Sequence, residues 1–173
     1  METMTAPGTL APDTSTLVIV DEQSQIGSAR RTANALGHAH GLGTDALGRL
    51  AIVVTEAATN VLRHGGSGVL VLRALHASDG PAIELLALDK GPGIPDVARA
   101  MSDGYSTIGT AGQGLGAMGR LADVFEIHSQ CDLGTALLAR VFDGPHVPEP
   151  REQPATLDDR LGVVSRSQYV GRL

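Results

Sequence analysis

The clearest periodicity in the chain lies between Asp45 and Arg63. Apolar residues recur there every three or four positions, which is the spacing of a helix with one buried face. These residues are Leu47, Leu50, Val54, Ala57 and Val61. Thr44 precedes the helix and is predicted to cap it, because its hydroxyl can accept a hydrogen bond from a free backbone amide. The earlier stretch IGSARRTANALGHAH is predicted to form another helix.

Short apolar runs separated by turn residues predict strands. TLVIVD is the first, SGVLVLRALHA and PAIELLALD are joined by SDG, and VFEIHSQ and GTALLARVF are joined by CDLG. Each of the two joined pairs is typical of an antiparallel hairpin. A further helix is predicted from Leu115 onward, after a glycine-rich segment. This order of elements favours an α+β fold, a two-layer sandwich in which a mostly antiparallel sheet carries helices on one face.

The pattern occupies the middle of the 173-residue chain, which sets the expected domain boundaries. Residues 1–14 are polar and contain Pro and Gly, so they are expected to be a flexible leader. Residues 15–143 should form the folded unit, with a core of Leu, Val, Ile and Ala, since aromatic residues make up only 2% of the chain. Residues 144–173 are expected to be a proline-rich linker and a short tail.

Charge and cysteine content exclude several classes of protein. The net charge of −6, without any Lys/Arg cluster, argues against nucleic-acid binding. No apolar run reaches the ~18 residues of a membrane span, and the N-terminus has no signal-peptide pattern, so no membrane association and a cytoplasmic location are expected. Cys131 is the single cysteine, which excludes an internal disulfide, and its Val/Leu-rich surroundings predict a buried, inert thiol.

An unusual segment, DKGPGIPD, follows the predicted strand IELLALD. Asp89 closes the strand, and Gly91, Pro92, Gly93 and Pro95 come directly after it. Proline cannot continue a sheet ladder, yet a plain turn needs only one or two such residues. Glycine and proline at nearly every position of this segment predict a backbone that passes close to another group.

A polar row lies opposite the apolar stripe of the helix predicted over 45–63. Glu56, Asn60 and His64 follow one another at intervals of four residues. On spacing alone, a solvated face is the favoured interpretation. The alternative is a cation site, because Glu and Asn one turn apart offer oxygen ligands to a hard cation. The low Lys and Glu content of TEAATNVLRHGG supports this alternative, and His64 is expected to be structural.

Glycines crowd the segment before the last predicted helix, at Gly109, Gly112, Gly114, Gly116 and Gly119. Glycines ahead of a helix start leave free amides at the positive end of the helix dipole, which favours a phosphate site; a flexible surface loop is the alternative. The spacing also matches a dinucleotide fingerprint, but no strand precedes it and no βαβ unit surrounds it. A Walker loop would need Gly-Lys-Ser/Thr, which is absent.

Four short segments, TEAATN, DKGPG, GQGLG and GTALLARV, follow one another in the chain. In this order they resemble the GHKL ATPase superfamily of gyrase, histidine kinases and heat-shock chaperones. MSDGYST followed by GLGAMGRLADVFEI resembles, more closely, the small serine/threonine kinases of the RsbT/RsbW type. The resemblance covers about Thr16 to Phe142 and implies a Bergerat-type ATP-binding fold that uses ATP and Mg²⁺.

The resemblance also implies roles for residues at the base of ATP. Asp89 would accept a hydrogen bond from the adenine amino group, since a carboxylate is an acceptor only. Gly91 and Gly93 would let the backbone pass against the purine without an intervening side chain. Thr135 would support both the aspartate and the base, and Ile94 belongs to the same set of ATP-binding residues.

At the phosphates, the resemblance implies that Asn60 holds magnesium and that Glu56 orients or deprotonates the attacking hydroxyl. Residues 102–116 would form a mobile lid, and its ATP-binding residues would be Gly112, Gly114, Leu115 and Gly116. This lid contains no Lys or Arg. Arg120 is therefore the nearest candidate for a phosphate contact, with a surface arginine as the alternative.

Two classes of function remain open. The first is a protein kinase that transfers phosphate from ATP to a Ser or Thr of a STAS-like anti-sigma antagonist, mainly by positioning and charge neutralisation. The second is a nucleotide-dependent module that sequesters a sigma factor or activates a PPM-type phosphatase. The presence of Glu56 and Asn60 favours the kinase, whereas the absence of Lys and Arg from the lid favours the module. Tyr105 would either anchor the partner or pack the lid onto the body.

Overall fold

The structure is a computed structural model that describes residues 15–77, 80–101 and 114–146 of the chain. The predictions for residues 1–14, Tyr105, Gly112 and residues 147–173 lie outside this part. The helices and strands of the described residues are β1 (Ser15–Val20), α1 (Gln23–Ala39), α2 (Thr44–Gly65), β2 (Gly68–Ala77), β3 (Gly80–Asp89), α3 (Val97–Met101), α4 (Gly114–Leu121), β4 (Val124–Gln130) and β5 (Gly134–Phe142).

The strands form one antiparallel sheet in the order β1-β2-β3-β5-β4. Both predicted hairpins are present, β2 with β3 and β4 with β5. The register places Asp89, the last residue of β3, opposite Gly68 on one side and Thr135 on the other. The predicted α+β sandwich is confirmed, and its central strands bring Asp89 and Thr135 together.

The hydrophobic core lies between one face of this sheet and the helices α1, α2 and α4. All five residues of the predicted α2 stripe are buried, and Leu50 at its centre is fully buried. Truncating such a residue to alanine typically costs about 2–5 kcal/mol. No helix among the described residues is long and apolar enough to cross a membrane.

The opposite face of the sheet carries an ion-paired row across its three central strands. Glu84 of β3 accepts hydrogen bonds from Arg73 of β2 at 2.9 Å and from Arg140 of β5 at 2.7 Å. The three residues are directly opposite one another in the register. Glu84 is only 9% exposed, so loss of one partner would leave a buried charge poorly compensated. These ion pairs therefore stabilise the pairing of β3 with β2 and β5, and β3 and β5 carry Asp89 and Thr135.

Two local predictions are wrong. Thr44 does not cap α2: it is the first helical residue, Gly43 is the N-cap, and no side-chain cap is formed. Gly43 takes this position because its carbonyl accepts from the Leu47 amide, while its own amide donates to Asp143 at 2.8 Å. Cys131 is exposed rather than buried, since it lies in the turn between β4 and β5.

One helix was not expected from the sequence. α3 follows Asp96, whose carboxylate accepts a hydrogen bond from the Arg99 amide at 2.9 Å. An aspartate three residues before such an amide is the usual signal of a helix start. The Gly/Pro-rich segment before it concealed this signal.

Candidate functional site

Asp89 lies where the end of β3 meets the end of α2. Its carboxylate oxygen Oδ1 accepts a hydrogen bond from the Gly91 amide at 2.9 Å. A Cβ atom added at Gly65 would lie 2.4 Å from the Cβ of Asp89. A Cβ atom added at Gly91 would lie 2.5 Å from the His64 carbonyl oxygen. Glycine is therefore required at both positions for the helix end and the segment after β3 to meet around this aspartate.

Residues Gly91–Ile94, here called the strap, pack on the turn between β4 and β5. Gly93 has φ +73°, and a Cβ atom there would lie 2.3 Å from the Gln130 carbonyl oxygen. The Asp132 amide donates to the Pro92 carbonyl at 2.9 Å. These contacts are the close backbone approach that the Gly/Pro pattern predicted, and they fix the strap over the end of the sheet.

Ser129 of β4 links the strap to Thr135. Its hydroxyl accepts from the Ile94 amide at 2.8 Å, lies 2.8 Å from the Thr135 hydroxyl, and donates to the Gly134 carbonyl at 3.1 Å. Sequence reasoning missed this residue. The available signal was the alternation of β4, which puts Ser129 on the inward side with Phe125 and Ile127.

A second cluster lies further up α2, against the start of α4. A Cβ atom added at Gly114 would lie 3.2 Å from Glu56 Oε2 and 3.7 Å from both Asn60 Oδ1 and Asn60 Nδ2. Glu56 and Asn60 are half-buried, while His64 is exposed. The polar row of α2 is thus divided: its first two members face the N-terminal turn of α4, and the third lies in solvent.

The chemistry of this cluster fits magnesium. Glu56 and Asn60 offer oxygen ligands, which a hard cation prefers, and Mg²⁺ usually completes its shell with phosphate oxygens and water. The described residues contain no group of three or more His, Cys, Asp or Glu side chains suited to a metal. Glu56 and Asn60 would therefore supply only part of the ligand shell of a cation bound here. Arg120 lies in the last turn of α4, about 9 Å along the helix from its first residue.

Glu56 also lines an open depression on the outer surface of α1 and α2. The depression has a volume of about 240 Å³ and is lined in addition by Arg30 of α1 and by Ala51, Ile52 and Thr55 of α2. Ile52 is 48% exposed, and the Thr55 hydroxyl donates to the Ala51 carbonyl at 2.7 Å. Glu56 thus stands between the start of α4 and a surface that is open to solvent.

The predicted site residues consequently fall into two groups. The group at the end of the sheet contains Asp89, Gly91, Gly93, Ile94 and Thr135. The group between α2 and α4 contains Glu56, Asn60, Gly114, Leu115 and Gly116. Gly112 and Tyr105 lie outside the described residues, and the individual roles of all these residues stay predictions.

Comparison with known proteins identifies the family. Residues 19–141 match the family described as histidine kinase-like ATPase domain. The serine/threonine-protein kinase RsbT of Bacillus subtilis is 32% identical over 112 residues, which cover 65% of this chain and 84% of that protein. The anti-sigma F factor of Heyndrickxia coagulans is 34% identical over 92 residues; the match covers 49% of this chain and 62% of that protein.

Two solved structures are also similar. Full-length ShkA in complex with AMPPNP has a TM-score of 0.48 at 21% identity, over 76% of this chain and 32% of that one. The mycobacterial sensor histidine kinase MprB has a TM-score of 0.47 at 16% identity, over 78% of this chain and 99% of that one.

The family match spans most of the described fold, from β1 to β5. Together with the similarity to RsbT, it confirms the predicted superfamily and the prediction of a kinase-class enzyme, and the family implies the use of ATP. The chain belongs to the family of histidine kinase-like ATPase domains.

Proposed function

We propose that this chain is an ATP-dependent serine/threonine kinase that phosphorylates a STAS-like anti-sigma antagonist in a sigma-factor regulatory switch. One observation carries the proposal: α2 contacts both groups of predicted site residues. Gly65 at its end packs on Asp89, and Glu56 faces the start of α4. Glu56 and Gly65 are nine positions apart, which is about 14 Å along a helix and suits an extended nucleoside triphosphate.

In this proposal the base of ATP binds at the end of the sheet. Asp89 and Thr135 accept hydrogen bonds from the exocyclic amine, and the strap lies against the purine. Asn60 holds Mg²⁺ through its amide oxygen, and the cation neutralises phosphate charge when it is bound. Glu56 orients the attacking hydroxyl and takes its proton.

The protein acceptor would approach Glu56 through the depression between α1 and α2. Glu56 lines this depression and also faces Gly114 of α4, so an acceptor segment lying in the depression would bring its hydroxyl beside the carboxylate. Ile52 offers apolar contact area and Arg30 offers a positive charge. An acceptor segment with an apolar residue and an acidic residue near its Ser or Thr would match this surface.

A second function is favoured by one observation from the sequence. The lid residues 102–116 contain no Lys or Arg, and phosphoryl transfer usually needs cationic groups around the transferred phosphate. The alternative is a nucleotide-dependent module that sequesters a sigma factor or activates a PPM-type phosphatase without phosphorylating it.

Phosphotransfer with labelled ATP distinguishes the two functions. The full chain is incubated with [γ-³²P]ATP, Mg²⁺ and purified single-domain STAS-like proteins encoded beside it. The kinase proposal requires label on a Ser or Thr of one of these proteins. Calorimetric binding of MgATP without transfer to any of them would contradict the kinase and favour the binding module.

A further inference from the structure

The Ser129 hydroxyl contacts three polar groups at once. The Ile94 amide donates to it at 2.8 Å, the Gly134 carbonyl accepts from it at 3.1 Å, and the Thr135 hydroxyl lies 2.8 Å away. The first two contacts have a fixed direction, because an amide only donates and a carbonyl only accepts. Only the direction of the contact with Thr135 is left open by geometry.

The number of hydrogens decides that direction. A hydroxyl has one hydrogen to donate and two lone pairs to accept with. The single hydrogen of Ser129 is used by the Gly134 carbonyl, and one lone pair is used by the Ile94 amide. All three contacts can be made together only if Thr135 donates its own hydrogen to Ser129. The Thr135 oxygen is then left with lone pairs alone.

This result bears on the neighbouring aspartate. Thr135 is directly opposite Asp89 in the register, and one Asp89 oxygen already accepts from the Gly91 amide at 2.9 Å. The other oxygen of Asp89 is also an acceptor only. Asp89 and Thr135 each lie two positions from a core residue of the same strand, Ala87 and Leu137, so both face the helix side of the sheet. Neither therefore has a hydrogen to offer a ligand bound at this end of the sheet.

We propose that Ser129 is a positioning residue that orients the Thr135 hydroxyl and thereby makes the site select a 6-amino purine against a 6-oxo purine. The inference rests on the proposed binding of the base at Asp89 and Thr135. An exocyclic amine supplies the hydrogens that two acceptors need. A carbonyl at the same position would place its oxygen lone pairs against those of Asp89 and Thr135, so acceptors would face acceptors and no hydrogen bond would form.

The test compares ATP with inosine triphosphate, whose base carries oxygen in place of the adenine amine. Dissociation constants of both Mg²⁺ complexes are measured by calorimetry for the full chain and its variants. Ser129→Ala frees the Thr135 hydrogen to rotate toward the ligand, so the preference for ATP should fall by about tenfold. Ser129→Thr keeps the hydroxyl and should retain the wild-type preference. A purely structural role of Ser129 would weaken both nucleotides equally.

A double-mutant comparison isolates the route of the effect. If Ser129 acts through Thr135, adding Ser129→Ala to Thr135→Val should leave the ATP preference of Thr135→Val unchanged. The inference would be overturned if Ser129→Ala alone left the preference for ATP over inosine triphosphate unchanged. It would also be overturned if Ser129→Ala reduced this preference equally in the wild type and in Thr135→Val. Neither result would contradict the proposed binding of ATP. If Ser129→Ala does not fold, Thr135→Val alone must reduce the preference. Wild-type protein that binds neither nucleotide would overturn the proposed function as well.

Discussion

Replacing Asp89 with asparagine keeps the shape of the side chain and changes one oxygen into a donor. In the structure Asp89 Oδ1 accepts from the Gly91 amide at 2.9 Å, so the proposed contact with the base falls to the second oxygen. Asparagine has only one acceptor oxygen. If that oxygen keeps the Gly91 contact, an NH₂ group meets the adenine amine; if the amide is flipped, the NH₂ group meets the Gly91 amide. In either orientation, the NH₂ group of asparagine faces another hydrogen-bond donor.

The expected loss of ATP affinity follows from this mismatch of donors and acceptors. A hydrogen bond to a charged group contributes about 1.5–3 kcal/mol, and leaving a buried polar group unsatisfied costs about 1–3 kcal/mol. Their combination predicts a loss of roughly 3–5 kcal/mol in ATP binding, which is at least about a hundredfold in Kd. The fold should survive, because Asp89 is half-buried and its neighbours in the register keep their ladder.

Titration calorimetry with MgATP measures the loss, and thermal unfolding followed by circular dichroism checks the fold. Asp132→Asn is the matched control. Asp132 is exposed in the nearby turn and has φ 62°, a conformation that asparagine tolerates well. This control should bind ATP as the wild type does. A well-folded Asp89→Asn protein with wild-type ATP affinity would refute the assignment of Asp89 to the base.

Three further predictions address other parts of the site. Glu56→Gln should bind MgATP but lose phosphotransfer by about a hundredfold or more; an unchanged transfer rate would return Glu56 to an ordinary solvated face. Gly65→Ala should abolish ATP binding, because the added Cβ would lie 2.4 Å from the Cβ of Asp89. Gly48→Ala is the control, since an added Cβ there has no neighbour within 4 Å. It should raise the free energy of unfolding, measured in urea, by about 0.5–1 kcal/mol. Ile52→Asp should raise the KM for the protein acceptor and leave ATP affinity unchanged. Leu133→Asp, a change at another exposed apolar residue, should leave the KM for the acceptor unchanged. An equal rise in KM in both variants would argue against docking in the depression.

Much of the fold was predictable because burial repeats with the period of each element. Five apolar positions of α2 recur at helical spacing, and all are buried. The two hairpins carried turn residues between apolar runs, and both pair as expected. Since the hairpins are local in sequence, the spacing of turns was enough to set most of the sheet.

The misassigned cap of α2 and the missed Ser129 concern groups whose partners are distant in the sequence. Gly43 became the cap of α2 because its amide bonds to Asp143, one hundred residues further on. The Ser129 hydroxyl accepts from the Ile94 amide, 35 residues earlier. Periodicity carries no information on such contacts. Cys131 was misassigned for a related reason: apolar neighbours in sequence indicated a core residue, whereas the turn places it at the surface.

The roles proposed for the site residues come from the resemblance rather than from the pattern of the sequence. On spacing alone, the pattern favours a solvated face over a cation site for Glu56 and Asn60. What separates them from exposed His64 is the packing of α4, whose first residue lies against both side chains. That contact joins α2 to a segment more than fifty residues later, so the α2 sequence alone could not reveal it.

The two ends of the site are built differently, and this difference makes their functions separable. At the end of the sheet, Asp89 is enclosed by Gly65 and by the strap, with no space for an added Cβ at Gly65 or Gly91. Such packing fixes the acceptors before any ligand arrives and should set nucleotide affinity and base selectivity. Glu56, by contrast, borders an open depression. Substitutions around Asp89 should therefore act on the Kd for ATP, and substitutions around Ile52 should act on the KM for the acceptor. A variant of the depression that changed both constants equally would indicate that partner and nucleotide share one rigid surface.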